Sequence, residues 1–323
     1  MKYIIDFDTG CGTLSSVFDG VLDYTVSYNY GLNENNIIPY NLIHLNNFDI
    51  EDAPDIDVDL FIGTPHLGNE ISKRGRANID FSELNNCLNL ISLKNPEVII
   101  LAILKNGFIF LNDCSLNEQV CYTVDSYPTV DYIVYILSCL GYFVDRFIID
   151  EANFGIPQHK EFVFYIGKKN EFSGLLKKIN RYRVDELAKP IDFLRQFDLM
   201  DSVHVWNHDK NTRYEEICSL IEEGSNAKKT KEVSRCSGYY RLRSDVPCKP
   251  LRHDFYRVSS RGPSIHPIKN RPLTLLEGAY LSGIYGNIWE KNADKKIVAD
   301  MISRAVAPSV ARIVKKVVLE NVV

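Results

Sequence analysis

Tyr3-Ile4-Ile5-Asp6-Phe7-Asp8-Thr9-Gly10-Cys11-Gly12-Thr13-Leu14-Ser15 is the stretch whose reading decides the fold. Its first five residues are aromatic and β-branched apart from one acid, and read as a buried strand. Glycines follow, and helical spacing resumes from Leu14 to Leu22. Glycines at a strand-to-helix turn let a ligand approach the backbone while helix N–H groups face it. Such turns are common singly, so the meaning of this one depends on its neighbours.

The same texture repeats outward from it. Residues 24–28, 42–45, 58–63, 97–104, 143–149 and 162–167 are short runs rich in Val, Ile, Phe and Tyr. Several are apolar almost throughout, as buried parallel strands are. Helical spacing lies between them at Phe81–Leu93 and Thr129–Leu140. This alternation predicts a doubly wound α/β sheet. From about residue 170 the chain turns polar with weak periodicity, and 235–272 is dense in Arg, Lys, Tyr, Ser and Pro. Helical spacing returns in LTLLEGAYLSG (273–283) and KKIVADMISRAVAPSVARIVKKVVLE (295–320).

Composition narrows the function classes. With 323 residues, 45% of them hydrophobic, the chain can bury a sizeable core. No apolar run of about 18 residues offers a membrane span. MKYIIDFDTG has no basic region, apolar stretch and cleavage site in series, which points to an intracellular protein, cytoplasmic, or nuclear in a eukaryotic or viral setting. The 8 cysteines contain no CxxC pair, so reduced, mostly buried thiols are expected, and no metal site. Charge is uneven. Residues 1–160 hold 8 Lys and Arg against 22 Asp and Glu, whereas 161–323 hold 29 against 20. Any polyanion is therefore expected to be gripped mainly by the second half.

Further pieces fall in a telling order. Asn47-Phe48-Asp49-Ile50 precedes Gly63-Thr64-Pro65-His66, then Pro96 through Asn106, then Phe154-Gly155-Ile156-Pro157-Gln158-His159-Lys160-Glu161-Phe162. Arg271-Pro272-Leu273-Thr274-Leu275-Leu276-Glu277 and Ser303-Arg304-Ala305-Val306 close the series. Together with the opening turn, this is similar to the ordered motifs of the DNA (cytosine-5) methyltransferases: D-x-F-x-G-x-G-G, D-I, G-G-P-P-C-Q, E-N-V, Y-G-x-P-Q-x-R-x-R, R-x-L-T-x-x-E and G-N-x-V. The resemblance spans roughly residues 3–315. It implies a Rossmann-like SAM-dependent methyltransferase sheet with a smaller loop-rich target-recognition domain. Boundaries drawn on it are 1–168 for the core domain, 169–270 for target recognition, and 271–323 for a segment packing back on the core. It also implies S-adenosylmethionine or a related donor at Asp8, Thr9, Gly10, Cys11, Gly12, Asn29, Asp49 and Arg304, and DNA as partner.

The chemistry departs from the pattern. The family attacks cytosine C6 with a cysteine thiolate; that position is His66, from which no C6 adduct is expected. The Glu that contacts cytosine N3 falls on Ala102. Gln158 survives, the first Arg after it is Lys160, and the second is Phe162, which is no substitute for a guanidinium fork. The acid expected at the ribose is absent, leaving Asn29 as a neutral partner. Asp8 replaces an aromatic, and Ser303-Arg304 replaces Gly-Asn. Neither Cys11 nor Cys87 is placed to attack. Lys73, Arg74 and Arg76, with Arg241, Arg243, Arg252, Arg257 and Arg261, are the expected contacts to DNA phosphates and base edges. The leading expectation is a non-catalytic, DNA-binding or regulatory homologue, with an active methyltransferase subunit as a possible protein partner. The alternative is an active pyrimidine-modifying enzyme with rewired chemistry or an altered donor.

Overall fold

The computed structural model describes residues 3–7, 12–18, 24–28, 42–44, 57–65, 68–71, 77–80, 82–105, 123–124, 127–128, 130–195, 212–226, 238–257, 263–285 and 294–321. The strands are β1 (Tyr3–Phe7), β2 (Tyr24–Tyr28), β3 (Leu42–His44), β4 (Leu60–Gly63), β5 (Gly68–Ile71), β6 (Ala77–Asp80), β7 (Val98–Leu104), β8 (Thr123–Val124), β9 (Tyr127–Pro128), β10 (Phe143–Asp150), β11 (Glu161–Lys168), β12 (Tyr240–Arg241) and β13 (Ser264–Ile265). The helices are α1 (Thr13–Ser16), α2 (Ser82–Lys94), α3 (Val130–Cys139), α4 (Leu175–Ile179), α5 (Pro190–Leu194), α6 (Thr212–Ser219), α7 (Leu275–Leu281), α8 (Lys295–Arg304) and α9 (Pro308–Asn321).

Among the described residues a seven-stranded sheet runs in the order β10-β11-β7-β4-β1-β2-β3. From β3 to β7 all neighbours are parallel. Chain order runs one way from β1 through β2 to β3 and the other way from β4 to β7. The strand order therefore reverses between β1 and β4, where doubly wound sheets open a crevice at their carboxyl ends. One strand departs from the parallel expectation: β11 is antiparallel to both β10 and β7. Only ten residues, 151–160, join β10 to β11, too few for the crossover a parallel return needs. A strand buried on both faces looks the same in sequence either way.

Alternation along the strands sorts side chains to two cores. Leu60, Ile62, Val98, Ile100, Ala102, Phe162 and Phe164 pack on one face with Leu14, Phe18 and the apolar stripe of α9. Phe61, Ile99, Leu101, Ile103, Val163 and Tyr165 face α2 and α3 on the other. Each fully buried Val of α9 contributes roughly 1.5–3 kcal/mol. A third cluster joins Leu194, Leu242, Leu251 and Phe255 to Leu273, Leu281, Met301 and Ala305.

The stretch 295–320, continuous in its helical spacing, divides into α8 and α9. Pro308 is the cause. It lacks an N–H and disfavours helical backbone just before it, yet suits the first position of a new helix. Ala305 is accordingly extended, with φ −64° and ψ 139°. The helix expected over Leu14–Leu22 is a single turn, Thr13–Ser16, within the residues described there.

Candidate functional site

The carboxyl end of the parallel strands gathers several of the motif residues. Thr64 N donates to Phe7 O across β1 and β4 at 3.0 Å. Gly63 lies opposite Leu101, and Leu104 opposite Phe162. Pro65, the Ala102–Leu104 stretch and Phe162 thus share one end of the sheet. Ala102 is wholly buried, opposite Phe164 and in the cluster that also holds Phe162 and Val306. The Phe162 and Phe164 rings meet edge-on, centroids 6.3 Å apart. The positions that carry the Glu and the second Arg in the family are apolar core here.

Lys160 has another task. It is wholly buried, and its Nζ donates to Ala305 O at 2.8 Å, with Ile302 O and Ser303 O at 3.4 and 3.5 Å. These are the terminal carbonyls of α8, where a cation complements the helix dipole. Glu151, equally buried, accepts from Ala307 N at 2.6 Å, just before α9, where an anion belongs. Its other oxygen lies 3.9 Å from Lys160 Nζ. Burial pushes the Glu151 carboxyl up to about 7, against Lys160 and the Ala307 N–H, which pull it down. One buried ion pair therefore clamps the break between α8 and α9. Lys160, expected among the catalytic residues, is corrected to this architectural role. Nothing in the composition marked Glu151; its one sequence signal is an acid immediately after a strand and nine residues before Lys160.

The Arg-x-Leu-Thr-x-x-Glu piece is also architectural. Arg271 grips both Glu277 oxygens at 2.8 and 2.7 Å, while Thr274 and Glu277 form a reciprocal cap on α7. Burial raises the Glu277 carboxyl, but Arg271 outweighs it and holds the group below its ordinary range.

Gln158 is buried, and its Nε2 lies 4.0 Å from Cys248 Sγ. Backbone bonds join the same residues: Cys248 N donates to Pro157 O at 2.9 Å, and His159 N to Cys248 O at 2.8 Å. This seam ties the segment around Cys248 to the entrance of β11. Cys248 thus lies against the Gln158 motif, a neighbour its lone position in sequence did not announce. Burial pushes that thiol up to about 12, so it is no thiolate and no nucleophile. Cys87 is buried under β4, with its Sγ 3.4 Å from the place a Cβ on Gly63 would occupy.

Polar groups remain at the sheet's edge. Lys105 Nζ donates to both Glu161 oxygens at 2.8 and 2.9 Å. His159, half exposed, donates from Nδ1 to Asp150 Oδ2 at 2.8 Å, while Asp150 Oδ1 accepts from Ala152 N at 3.1 Å. The carboxylate is fixed by the backbone and fixes the imidazole. Sequence reading passed over this pair, since a single His between Gln158 and Lys160 carries no spacing signal.

At the donor end, Gly12 takes φ 70° and Thr13 Oγ1 donates to Val306 O at 2.6 Å. A left-handed glycine between strand and helix fits a backbone that hugs a ligand. Asp8, Thr9, Gly10, Cys11, Asn29 and Asp49 lie outside the described residues, as do His66, Lys73, Arg74, Arg76 and Arg261. Arg304 pairs with Asp300 at 2.6 Å, so its cation is engaged one helical turn back. Arg241 is a correction of the same kind. It is buried and donates to the carbonyls of Cys218, Ile221, His266, Pro267 and Lys269 and to Asn270 Oδ1, stitching its loops together. Arg243, Arg252 and Arg257 are exposed. Among the described residues no three His, Cys, Asp or Glu converge as a metal site, and no helix is long and apolar enough to cross a membrane.

A mostly parallel sheet with one reversed strand next to its edge and a reversal of strand order between its first and fourth strands is the architecture of the SAM-dependent methyltransferases. The sequence profile of C-5 cytosine-specific DNA methylases matches residues 120–320, and the chain belongs to that family. No curated protein matches it in sequence. Solved structures with the same fold include a DNA modification methyltransferase encoded within an E. coli prophage, 15% identical, with TM-score 0.59, covering 100% of this chain and 99% of that one. The S. pombe Dnmt2 methyltransferase has TM-score 0.61 at 12% identity, covering 98% of each. The Entamoeba histolytica methyltransferase EhMeth has TM-score 0.59 at 11% identity, covering 99% and 98%.

Proposed function

We propose that the chain is a non-catalytic member of its family that binds DNA, acting as a regulatory subunit or decoy. The observation that carries this reading is the apolar packing of Ala102 and Phe162 against Phe164 and Val306. The positions that the resemblance assigns to the N3 acid and the second guanidinium hold Ala102 and Phe162. The nucleophile position holds His66, and burial keeps the Cys248 thiol beside Gln158 protonated. Loss of a nucleophile alone costs several orders of magnitude in rate. A bound S-adenosylmethionine would supply a transferable methyl group. The chain would hold it with Asp8 to Gly12, Asn29 at the ribose and Asp49 at the adenine edge. Arg243, Arg252, Arg257 and Arg261, with Lys73, Arg74 and Arg76, would meet the DNA. Purified protein offered mixed-sequence duplex at two salt concentrations is expected to shift it at the lower salt, while labelled S-adenosylmethionine leaves the DNA unlabelled. Labelled DNA, or no shift at either salt, contradicts the reading.

A second reading, an active pyrimidine-modifying enzyme with rewired chemistry, is favoured by His159. An exposed imidazole oriented by a carboxylate is the arrangement of a general base. If a modified base appears in treated DNA and His159→Ala abolishes it, this reading replaces the first.

A further inference from the structure

The arginines of residues 238–271 divide by which edge of the guanidinium is occupied. Arg241 uses all three nitrogens on protein acceptors, and Arg271 spends its Nη1–Nη2 edge on Glu277. Arg243 and Arg252 do neither. Arg243 donates from Nε and Nη2 to Asp245 at 3.0 and 2.8 Å, and Arg252 from Nε and Nη2 to Asp254 at 3.1 and 2.8 Å. Each carboxylate grips the side of the fork. The end of the fork, one N–H on each terminal nitrogen, points away from it, and no described residue accepts from Nη1. Both arginine side chains are about half exposed, at 51% and 52%.

The supports differ in firmness. Asp254 is buried, and the adjoining Phe255 is seated so tightly on α7 that a Cβ on Gly278 would come within 2.2 Å of its ring. Arg252 thus projects from a fixed base. Asp245 is itself exposed, so Arg243 is held less firmly. The two arginines flank Cys248, whose backbone is bonded to Pro157 and His159 at the entrance of β11.

A carboxylate beside each arginine cancels most of its charge and repels phosphate, so these are poor groups for gripping a DNA backbone. It leaves a rigid, directional double donor. Two adjacent acceptors on a neutral partner are what such a fork fits, and guanine O6 and N7 present them in the major groove. Resting on the DNA-binding reading above, we propose that Arg252 and Arg243 each read a guanine by this edge, the aspartates serving as positioning residues.

The test uses the full chain and a randomised duplex library. Selected duplexes should share guanine at two positions. Replacing one of these by 7-deazaguanine, which lacks only the N7 acceptor, should weaken binding roughly tenfold. Arg252→Ala should abolish that penalty at one guanine and leave it at the other, and Arg243→Ala should do the reverse. Asp245→Asn should lower guanine discrimination while strengthening binding to unselected duplex, a pair of effects that a merely structural role would not produce. Selected sequences without guanine preference, or penalties that survive both alanine variants, overturn the proposal and leave DNA binding standing. Failure to bind any duplex at low salt overturns the DNA-binding reading and this inference with it.

Discussion

Lys160 and Phe162 lie two residues apart in one motif and have opposite surroundings. Lys160 keeps a cation, and it is spent inside the protein on the carbonyls ending α8. Phe162 replaces a cation with a ring packed beside Ala102 in the core. The same division runs through the other motifs. Arg271, Thr274 and Glu277 form a lock on α7, while the positions that the resemblance assigns to cytosine contacts hold His66, Ala102 and Phe162. On the proposed reading, groups that hold the architecture are retained and groups that only serve the reaction are gone.

The sharpest way to break this contrast is to attack its architectural side. Lys160→Met leaves Glu151 buried without its counter-charge and should cost about 3–5 kcal/mol in urea unfolding. A loss below about 1 kcal/mol would mean that the clamp holds nothing. On the other side, Ala102→Glu puts a carboxylate among Phe162, Phe164 and Val306 and should destabilise by about 3 kcal/mol. Combined with His66→Cys and Phe162→Arg it should still give no methyl transfer, and measurable transfer would show that the edge has not closed over. Arg241→Ala strands several buried carbonyls and should cost about 2–3 kcal/mol. DNA affinity measured where the variant stays folded should be unchanged, since Arg241 is taken as structural.

A pH-dependent effect follows from Glu151. Its folded pKa, about 7, lies above the ordinary 4.5. Between those values the folded state holds a proton that the unfolded chain releases, so stability falls as pH rises through the window and levels off above it. Glu151→Gln should remove that slope, which amounts to about 3 kcal/mol across the window. An unaltered slope would move the titration to another group.

Much of this was legible in the sequence, for reasons that can be named. Buried strands such as 98–104 are apolar throughout, and motif order fixed which strand followed which. The reversal of β11 was not legible, because side-chain pattern records burial and not direction. Nor was the role of Lys160 or Arg241. Sequence displays a charge but not the carbonyls around it, and both residues read as ligand contacts until their partners, 142 and more residues away for Lys160 and 20 or more for Arg241, came into place. Arg252 and Arg243 read as DNA contacts, but the spacing to Asp254 and Asp245 that orients them carries no signal in sequence.

The central claim, that the scaffold persists without its methyl transfer, is tested most directly with wild-type protein, radiolabelled S-adenosylmethionine and mixed-sequence duplex DNA, scored for 5-methylcytosine. The account predicts no label in cytosine above a protein-free control over prolonged incubation with stoichiometric protein. Reproducible label at C5 would contradict it.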